Sequence, residues 1–234
     1  MKKVLVSDYD GTFYRDDIEI KKNIEMVNKF RALNNLFVIA TGRSYVDLKV
    51  MIDKYKIPFD YLILNHGALI LSKDLKVLNI FSLEEKLVKD ILNYVSNSKI
   101  VDEIILIDTF NKNVKDTTCI VKIMLKLYNF DQAREIKNVI DRDYTNIKSY
   151  FVKEDDHYLV EIVSIKASKS FMIEEILNKE KIVKTNVFAI GDGINDIDML
   201  KNYNGYRIKN SCRELYPITS KIAFSVGDLI SNII

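Results

Sequence analysis

Lys3-Val4-Leu5-Val6-Ser7-Asp8-Tyr9-Asp10-Gly11-Thr12 decides how this chain is read. Residues 3–7 are a short β-branched and apolar run, which predicts a buried strand. Asp8-Tyr9-Asp10-Gly11 follows at once, and its glycine marks a tight turn. Two carboxylates two residues apart on an extended segment can divide one reaction. One attacks an electrophile such as phosphorus while the other moves the proton of the leaving oxygen. An acidic turn after a strand is also an ordinary structural feature, so this segment alone leaves both readings open.

Downstream, strand and helix alternate. Ile20, Ile24, Val27 and Phe30 are spaced by three and four, as on an amphipathic helix. Leu36 to Ala40 is a second apolar run, ending at Thr41-Gly42-Arg43. Leu48, Met51, Ile52 and Tyr55 mark a second helix, closed by Pro58, and Tyr61 to Leu64 a third strand. This alternation predicts an α/β fold with a Rossmann-like parallel sheet covered by helices.

The rhythm changes near residue 81. Ser82 suits the cap of a helix carrying Leu83, Leu87, Ile91 and Val95. Strand-like runs at 103–109 and 118–127, a helix over 131–141, and runs at 146–152 and 158–163 complete a helix-strand-strand order repeated once. That order predicts a small α+β domain, 82–163, inserted into a core of 1–81 and 164–234. After Ile165 the first pattern returns, with Phe171, Met172, Ile176 and Leu177 on a helix. Asn186 to Ile190 is then a strand leading into Gly191-Asp192-Gly193-Ile194-Asn195-Asp196. Runs at 206–208 and 222–226 suit the last strands.

Three segments thus sit just after predicted parallel strands, where open sheets bind ligands. The Asp8 segment is one. At Ala40-Thr41-Gly42-Arg43-Ser44, a hydroxyl and free backbone N–H groups before a helix suit an anion, although a plain helix cap fits as well. In 191–196, acidic and amide oxygens between glycines favour a hard cation such as Mg²⁺, and an ordinary glycine-rich turn remains the alternative. Lys169, in Ala167-Ser168-Lys169-Ser170, says little by itself in a lysine-rich chain.

The combination is more specific than its parts. Asp-x-Asp-Gly-Thr, Thr-Gly-Arg, an intermediate Lys and Gly-Asp-Gly-x-Asn-Asp, in that order, resemble the haloacid dehalogenase (HAD) superfamily. Within it they resemble the Cof-type phosphatases with an inserted α+β cap of the C2B class, and the likeness spans nearly the whole chain. The resemblance implies a Mg²⁺-dependent phosphatase acting on small phosphorylated metabolites, sugar phosphates foremost. Asp8 would be the nucleophile that becomes an aspartyl-phosphate. Asp10 would be general acid and then base, with its backbone carbonyl on the metal. Thr41, the Gly42 N–H and Asn195 would hold phosphoryl oxygens, and Lys169 would neutralise charge on nucleophile and phosphate. Asp8 and Asp192 would ligate Mg²⁺, supported by Asp196. The cap would open and close and would set substrate choice. A phosphomutase of the phosphomannomutase type and a non-catalytic phospho-ligand-binding module are the rival readings.

Departures from the family pattern are few. Tyr9 stands where Leu is common. Ser170 replaces the usual Gly after the motif Lys, and Lys166, where another Gly is frequent, is a lesser candidate for its role. The family's Asn-Gly-Ala appears here within Asn65-His66-Gly67-Ala68, so His66 replaces an amide that often faces the substrate. A His at a strand end reads as structural and is left out of the expected site.

Composition bounds the partners. With 35 Lys and Arg against 33 Asp and Glu, a net charge of +2 in 234 residues carries no field for nucleic acid. No apolar run nears the roughly 20 residues that span a bilayer, and the apolar start is too short for a secretion signal. Cytoplasmic location follows as the expectation. Cys119 and Cys212, far apart, are expected to be reduced and buried. The oligomeric state leaves no mark on the sequence.

Overall fold

A computed structural model describes residues 2–234. In chain order it contains β1 (Val4–Ser7), α1 (Glu19–Ala32), β2 (Leu36–Ala40), α2 (Tyr45–Tyr55), β3 (Tyr61–Leu64), β4 (Leu69–Ser72) and β5 (Val77–Ile80). Then come α3 (Glu85–Ser98), β6 (Glu103–Ile107), β7 (Lys122–Leu127), α4 (Phe130–Asp143), β8 (Ile147–Lys153) and β9 (Tyr158–Ser164). The chain closes with α5 (Lys169–Glu180), β10 (Val187–Gly191), α6 (Ile197–Asn202), β11 (Asn204–Ile208), β12 (Ile222–Ala223) and α7 (Val226–Ile233).

Two compact units result. The first runs to Arg43 and continues through Asp47–Asn79 and Ser168–Ile234; the second comprises Ile80–Ala167 with Ser44–Val46. The sequence had suggested 82–163 for the insert, so the division falls two residues earlier and four later.

The first unit is built on an eight-stranded sheet ordered β12-β11-β10-β1-β2-β3-β4-β5. It is parallel from β12 through β3, and β4 pairs antiparallel with β3. Every residue of β1, β2 and β3 is buried, because helices cover both faces; that is why these strands read as continuous apolar runs. The β4 and β5 strands went unpredicted: β4 follows the Asn65–Gly67 turn after a single residue, and the four residues of β5 include none that is fully buried. Helices α1 and α7 are joined through Asn23, whose amide donates to the Phe13 carbonyl at 2.9 Å and accepts from Gly227 N at 2.9 Å. Phe171 lies on α5 as expected but is exposed; Met172, Ile173, Ile176 and Leu177 are the buried stripe.

The second unit is a four-stranded antiparallel sheet, β6-β7-β9-β8, with two helices. Val88, Ile91 and Val95 of α3 and Ala133, Ile136 and Ile140 of α4 pack with Ile123, Leu125, Leu127, Val160 and Ile162 from alternate strand positions. Ser82 does not cap α3. The Leu83 N–H donates to the Ile120 carbonyl at 2.7 Å, which keeps the chain extended there, and the helix begins at Glu85. The expected strand at 118 starts only at Lys122, because Cys119 has a left-handed φ of 56°. Both cysteines are free, but Cys119 is exposed and Cys212 half-buried, so the expectation of buried thiols is corrected. No helix of the described residues is long and apolar enough to cross a membrane.

Candidate active site

The strand order β10-β1-β2 brings the ends of three parallel strands side by side. Asp8 follows β1, Thr41 follows β2 and Asp192 follows β10. Asp8 is 5% exposed, and its backbone N–H donates to the Ile190 carbonyl at 2.9 Å, continuing the ladder one residue past the strand. Gly11, at φ +77°, lies so close to Asp192 that a Cβ there would come within 2.3 Å of Oδ2. A side chain is thus excluded by both backbone and space. Thr12, to which the sequence reading assigned no role, donates its hydroxyl to Asp192 Oδ1 at 2.7 Å.

Lys169 enters from the first turn of α5, whose cap Ser168 accepts from Phe171 N at 3.1 Å. Only 1% of it is exposed, and its ammonium donates to Asp8 Oδ1 at 2.8 Å and Asp196 Oδ1 at 2.6 Å. Lys166, the lesser candidate, is exposed to solvent. The fully buried Asp196 does a second job, since its Oδ2 accepts from the backbone N–H groups of Asp192 and Gly193, both at 3.0 Å. It therefore shapes the loop that presents Asp192.

Oxygens of Asp8, Asp192 and Asp196 lie within 4.8 Å of one another. Three carboxylates against one lysine leave a formal −2 in a largely buried cluster, and the protonation behaviour reflects it. Burial raises the Asp8 pKa well above the usual carboxylate range; Asp196 adds to this, Lys169 opposes it and Asp192 adds again. Burial also raises Asp192, against the hydrogen bond from Thr12 and reinforced by Asp196. For Lys169 burial works against the charge, but Asp196 and Asp8 outweigh it and the pKa is raised. An all-oxygen set with two uncompensated negative charges matches the ligand preference of a hard divalent cation.

Asp10 stands apart from this cluster. Its side chain is half exposed and takes a bidentate pair from Arg43, Nε to Oδ2 at 2.8 Å and Nη2 to Oδ1 at 2.7 Å. The same guanidinium lies 5.3 Å from the centre of the Tyr9 ring, and the Asp10 contact raises the pKa of Arg43. Tyr9 is fully buried, as its apolar counterpart would be, with its hydroxyl lacking a hydrogen-bond partner. Thr41 is buried, and its hydroxyl accepts from Arg43 N at 3.1 Å. The Asn195 amide nitrogen lies 3.4 Å from His66 Nδ1. Thr12, Arg43 and His66 thus contact expected site residues, although motif reading gave none of them a role. Arg43 was quoted inside its motif, but pairing with Asp10 33 positions away has no local signal.

Comparison with known proteins bears on family and fold. A haloacid dehalogenase-like hydrolase family model matches residues 5–114 and 101–227. A Buchnera aphidicola protein named "Putative phosphatase" is 26% identical, with 90% of this chain and 86% of that protein covered. A haloacid dehalogenase-like hydrolase from Bacteroides thetaiotaomicron superposes with a TM-score of 0.84 at 17% identity, covering all of both chains. A second protein of that organism, described among phosphatases of the haloalkanoate enzyme superfamily, gives 0.80 at 17% identity over 100% of this chain and 94% of its own. With its motif order, strand-end cluster and near full-length match, the chain belongs to the haloacid dehalogenase-like hydrolase family.

Proposed function

We propose that this hydrolase is a Mg²⁺-dependent phosphatase of small phosphate esters, sugar phosphates foremost, acting through a phosphoaspartate at Asp8. The observation that carries the reading is Asp8 itself: a buried carboxylate at the end of the central strand, 2.8 Å from Lys169 and grouped with Asp192 and Asp196. A carboxylate and a phosphate monoester repel each other, so the site must offset that repulsion; phosphoryl transfer then rests on positioning and electrostatic stabilisation.

In the forward step one Asp8 oxygen bonds to phosphorus as the ester P–O bond breaks, and Asp10 gives its proton to the departing alkoxide. Asp10 then takes a proton from the water that attacks the acyl phosphate, releasing inorganic phosphate and restoring Asp8. Thr41, the Gly42 N–H and Asn195 hold the phosphoryl oxygens, and Lys169 fixes the second Asp8 oxygen. Arg43 pairs here with both oxygens of the Asp10 carboxylate, so one of these hydrogen bonds gives way when Asp10 carries the proton that it hands to the leaving oxygen. Bound between Asp8, Asp192 and the Asp10 carbonyl, with Asp196 in support, Mg²⁺ would supply positive charge against the nucleophile and phosphate. The unit of residues 80–167 is assigned the choice among esters.

The direct test is a panel of phosphate esters with Mg²⁺, scored by release of inorganic phosphate; no release from any member sinks the reading. Exhaustive EDTA treatment is expected to remove all turnover, with Mg²⁺ restoring it and Ca²⁺ inhibiting. Mg²⁺ holds octahedral geometry near 2.1 Å, whereas Ca²⁺ accepts more ligands at longer distance and lets Asp8 bind through both oxygens. Full activity after chelation removes the metal from the reaction. Asp10→Asn is expected to lower kcat on alkyl phosphates by about 10²–10⁴-fold, the usual worth of a positioned acid–base group. The loss should be smaller in the phosphorylation step of an aryl phosphate, whose leaving group needs less protonation. Equal single-turnover losses on both esters would show that Asp10 does not protonate the leaving oxygen.

A further inference from the structure

We propose that His66 is a positioning residue that clasps the Thr41–Arg43 loop to Asn195, holding two separate sets of phosphate donors in fixed relation. Its functional consequence rests on the phosphatase reading, whereas the clasp itself is a matter of geometry.

Asn65 and His66, just after β3, both adopt left-handed φ, 50° and 58°. This bend turns the chain onto the neighbouring strand end. Asn65 N donates to the Arg43 carbonyl at 3.0 Å and His66 N to the Thr41 carbonyl at 3.1 Å, stitching the turn to the loop on both sides of Gly42. The imidazole lies against Gly42 itself: a Cβ there would come within 2.5 Å of His66 Cε1 and 2.8 Å of Nε2. On its other edge, Nδ1 faces the Asn195 amide nitrogen at 3.4 Å. As the amide can only donate, Nδ1 is the acceptor of this long contact.

The sheet order shows what this spans. Asn195 belongs to the loop after β10, His66 to the turn after β3, and β1 and β2 lie between. At about 4.8 Å per strand, three spacings separate the two anchor points by roughly 14 Å. The contact therefore bridges the strand ends on which Asp8 and Thr41 sit. The same turn reaches the lysine helix, because the Gly67 carbonyl accepts from Ser168 N at 3.3 Å. The Thr41 loop, Asn195 and the base of α5 are thus indexed to one three-residue turn. His66 is 4% exposed, so the ring is held by its surroundings and transmits position. An Asn at this place would keep an acceptor where Nδ1 stands but would lack the Cε1 and Nε2 atoms that lie against Gly42.

His66→Gly is the variant to make, because Gly takes a left-handed φ freely and keeps the backbone turn while removing the ring. Three measurements apply. In ¹H–¹⁵N spectra the Asn195 side-chain amide and the Gly42 backbone amide should both shift in His66→Gly, with amides remote from the turn at their wild-type positions. The Kd for inorganic phosphate should rise about fivefold, the worth of one hydrogen bond's positioning, with kcat on a phosphate ester falling alongside. In an Asn195→Ala background, His66→Gly should add little further loss of phosphate affinity. An unmoved Asn195 amide overturns the clasp whatever the activity; wild-type phosphate affinity in His66→Gly, or losses that multiply independently in the double variant, overturns its role in binding. If the amides of His66→Gly shift as expected but the wild-type protein neither binds phosphate nor turns over any ester, the clasp stands and the phosphatase reading fails instead.

Discussion

Asp8→Asn is expected to lower turnover by about 10⁴-fold or more, the scale on which enzymes of covalent mechanism lose rate without their nucleophile. The fold should survive, and the metal-free variant should melt no lower than wild type. Asp8 is a buried carboxylate beside two others, with one lysine to serve the cluster. The Asn amide is nearly isosteric and its oxygen still accepts from Lys169, but it cannot form a stable acyl phosphate. Burial first, then Asp196, raise the native Asp8 pKa above its unfolded value. A raised carboxylate pKa favours the fold while the group is protonated, below the ordinary carboxylate value, and this contribution is lost as pH rises through the native value. An amide is neutral throughout. The stabilisation of metal-free Asp8→Asn over wild type should therefore be present at neutral pH and vanish toward pH 3–4. Rapid acid quench with labelled ester should trap phosphate on wild-type protein and none on the variant. Near-wild-type phosphate release by Asp8→Asn would falsify the covalent route.

The parts of the fold that the sequence made legible are those where burial is two-sided. β1, β2, β3 and β10 lie between helix layers, so their residues are apolar, aromatic or small, and the runs give way to a polar residue or a glycine at Asp8, Thr41, Asn65 and Gly191. Where tertiary contacts decide, the pattern gave out. Leu83 keeps a helix-like spacing to Leu87, yet its N–H bonds to Ile120, and the helix core is Val88, Ile91 and Val95. Thr118 to Val121 has the composition of a strand, but the left-handed Cys119 breaks the ladder before Lys122. No local sequence signal marks either event, because both depend on a partner about 40 residues away or on one backbone angle.

The candidate site shows the same division between local and distant causes. Asp8, Thr41 and Asp192 were locatable because each follows a recognisable strand, and parallel topology carries their ends to one edge. Lys169 was locatable only through the order of the motifs, since nothing around Ala167-Ser168-Lys169-Ser170 foretells an ammonium buried between two carboxylates 27 and 161 positions away. The pairing of Asp10 with Arg43 was not readable at all. It needs the β1 and β2 loops to meet, and it leaves the expected acid half exposed on a guanidinium rather than facing the cluster. His66 read as a departure from the pattern; only its approach to Gly42 and Asn195 shows what the larger ring reaches.

Lys169→Met should give the second large effect, and it separates charge from shape. Met matches the length of the lysine stem and keeps the packing of α5, but it removes the cation between Asp8 and Asp196. Asp196 would then be a fully buried carboxylate with only the Asp192 and Gly193 N–H groups to satisfy it. Breaking a buried pair from one side costs about 3–5 kcal/mol, because the remaining charge stays desolvated. For a chain of this size each kcal/mol lowers Tm by about 2–4 °C, so a fall of about 10 °C is expected for metal-free protein at neutral pH. Two interventions should recover part of it: acidification, which neutralises the stranded carboxylates, and Mg²⁺, which restores positive charge to the same cluster. Catalysis should fall by about 10²–10³-fold in kcat even at saturating Mg²⁺, as expected when one fixed cation is taken from a site of developing negative charge. The comparison to make is Tm with EDTA and with Mg²⁺, beside kcat, for Lys169→Met, Lys166→Met and wild type. Lys166 is exposed, so its substitution should leave all three values near wild type. If Lys169→Met melted like wild type in EDTA and kept its kcat, the three carboxylates would not need the lysine, and the charge balance proposed for this site would be wrong.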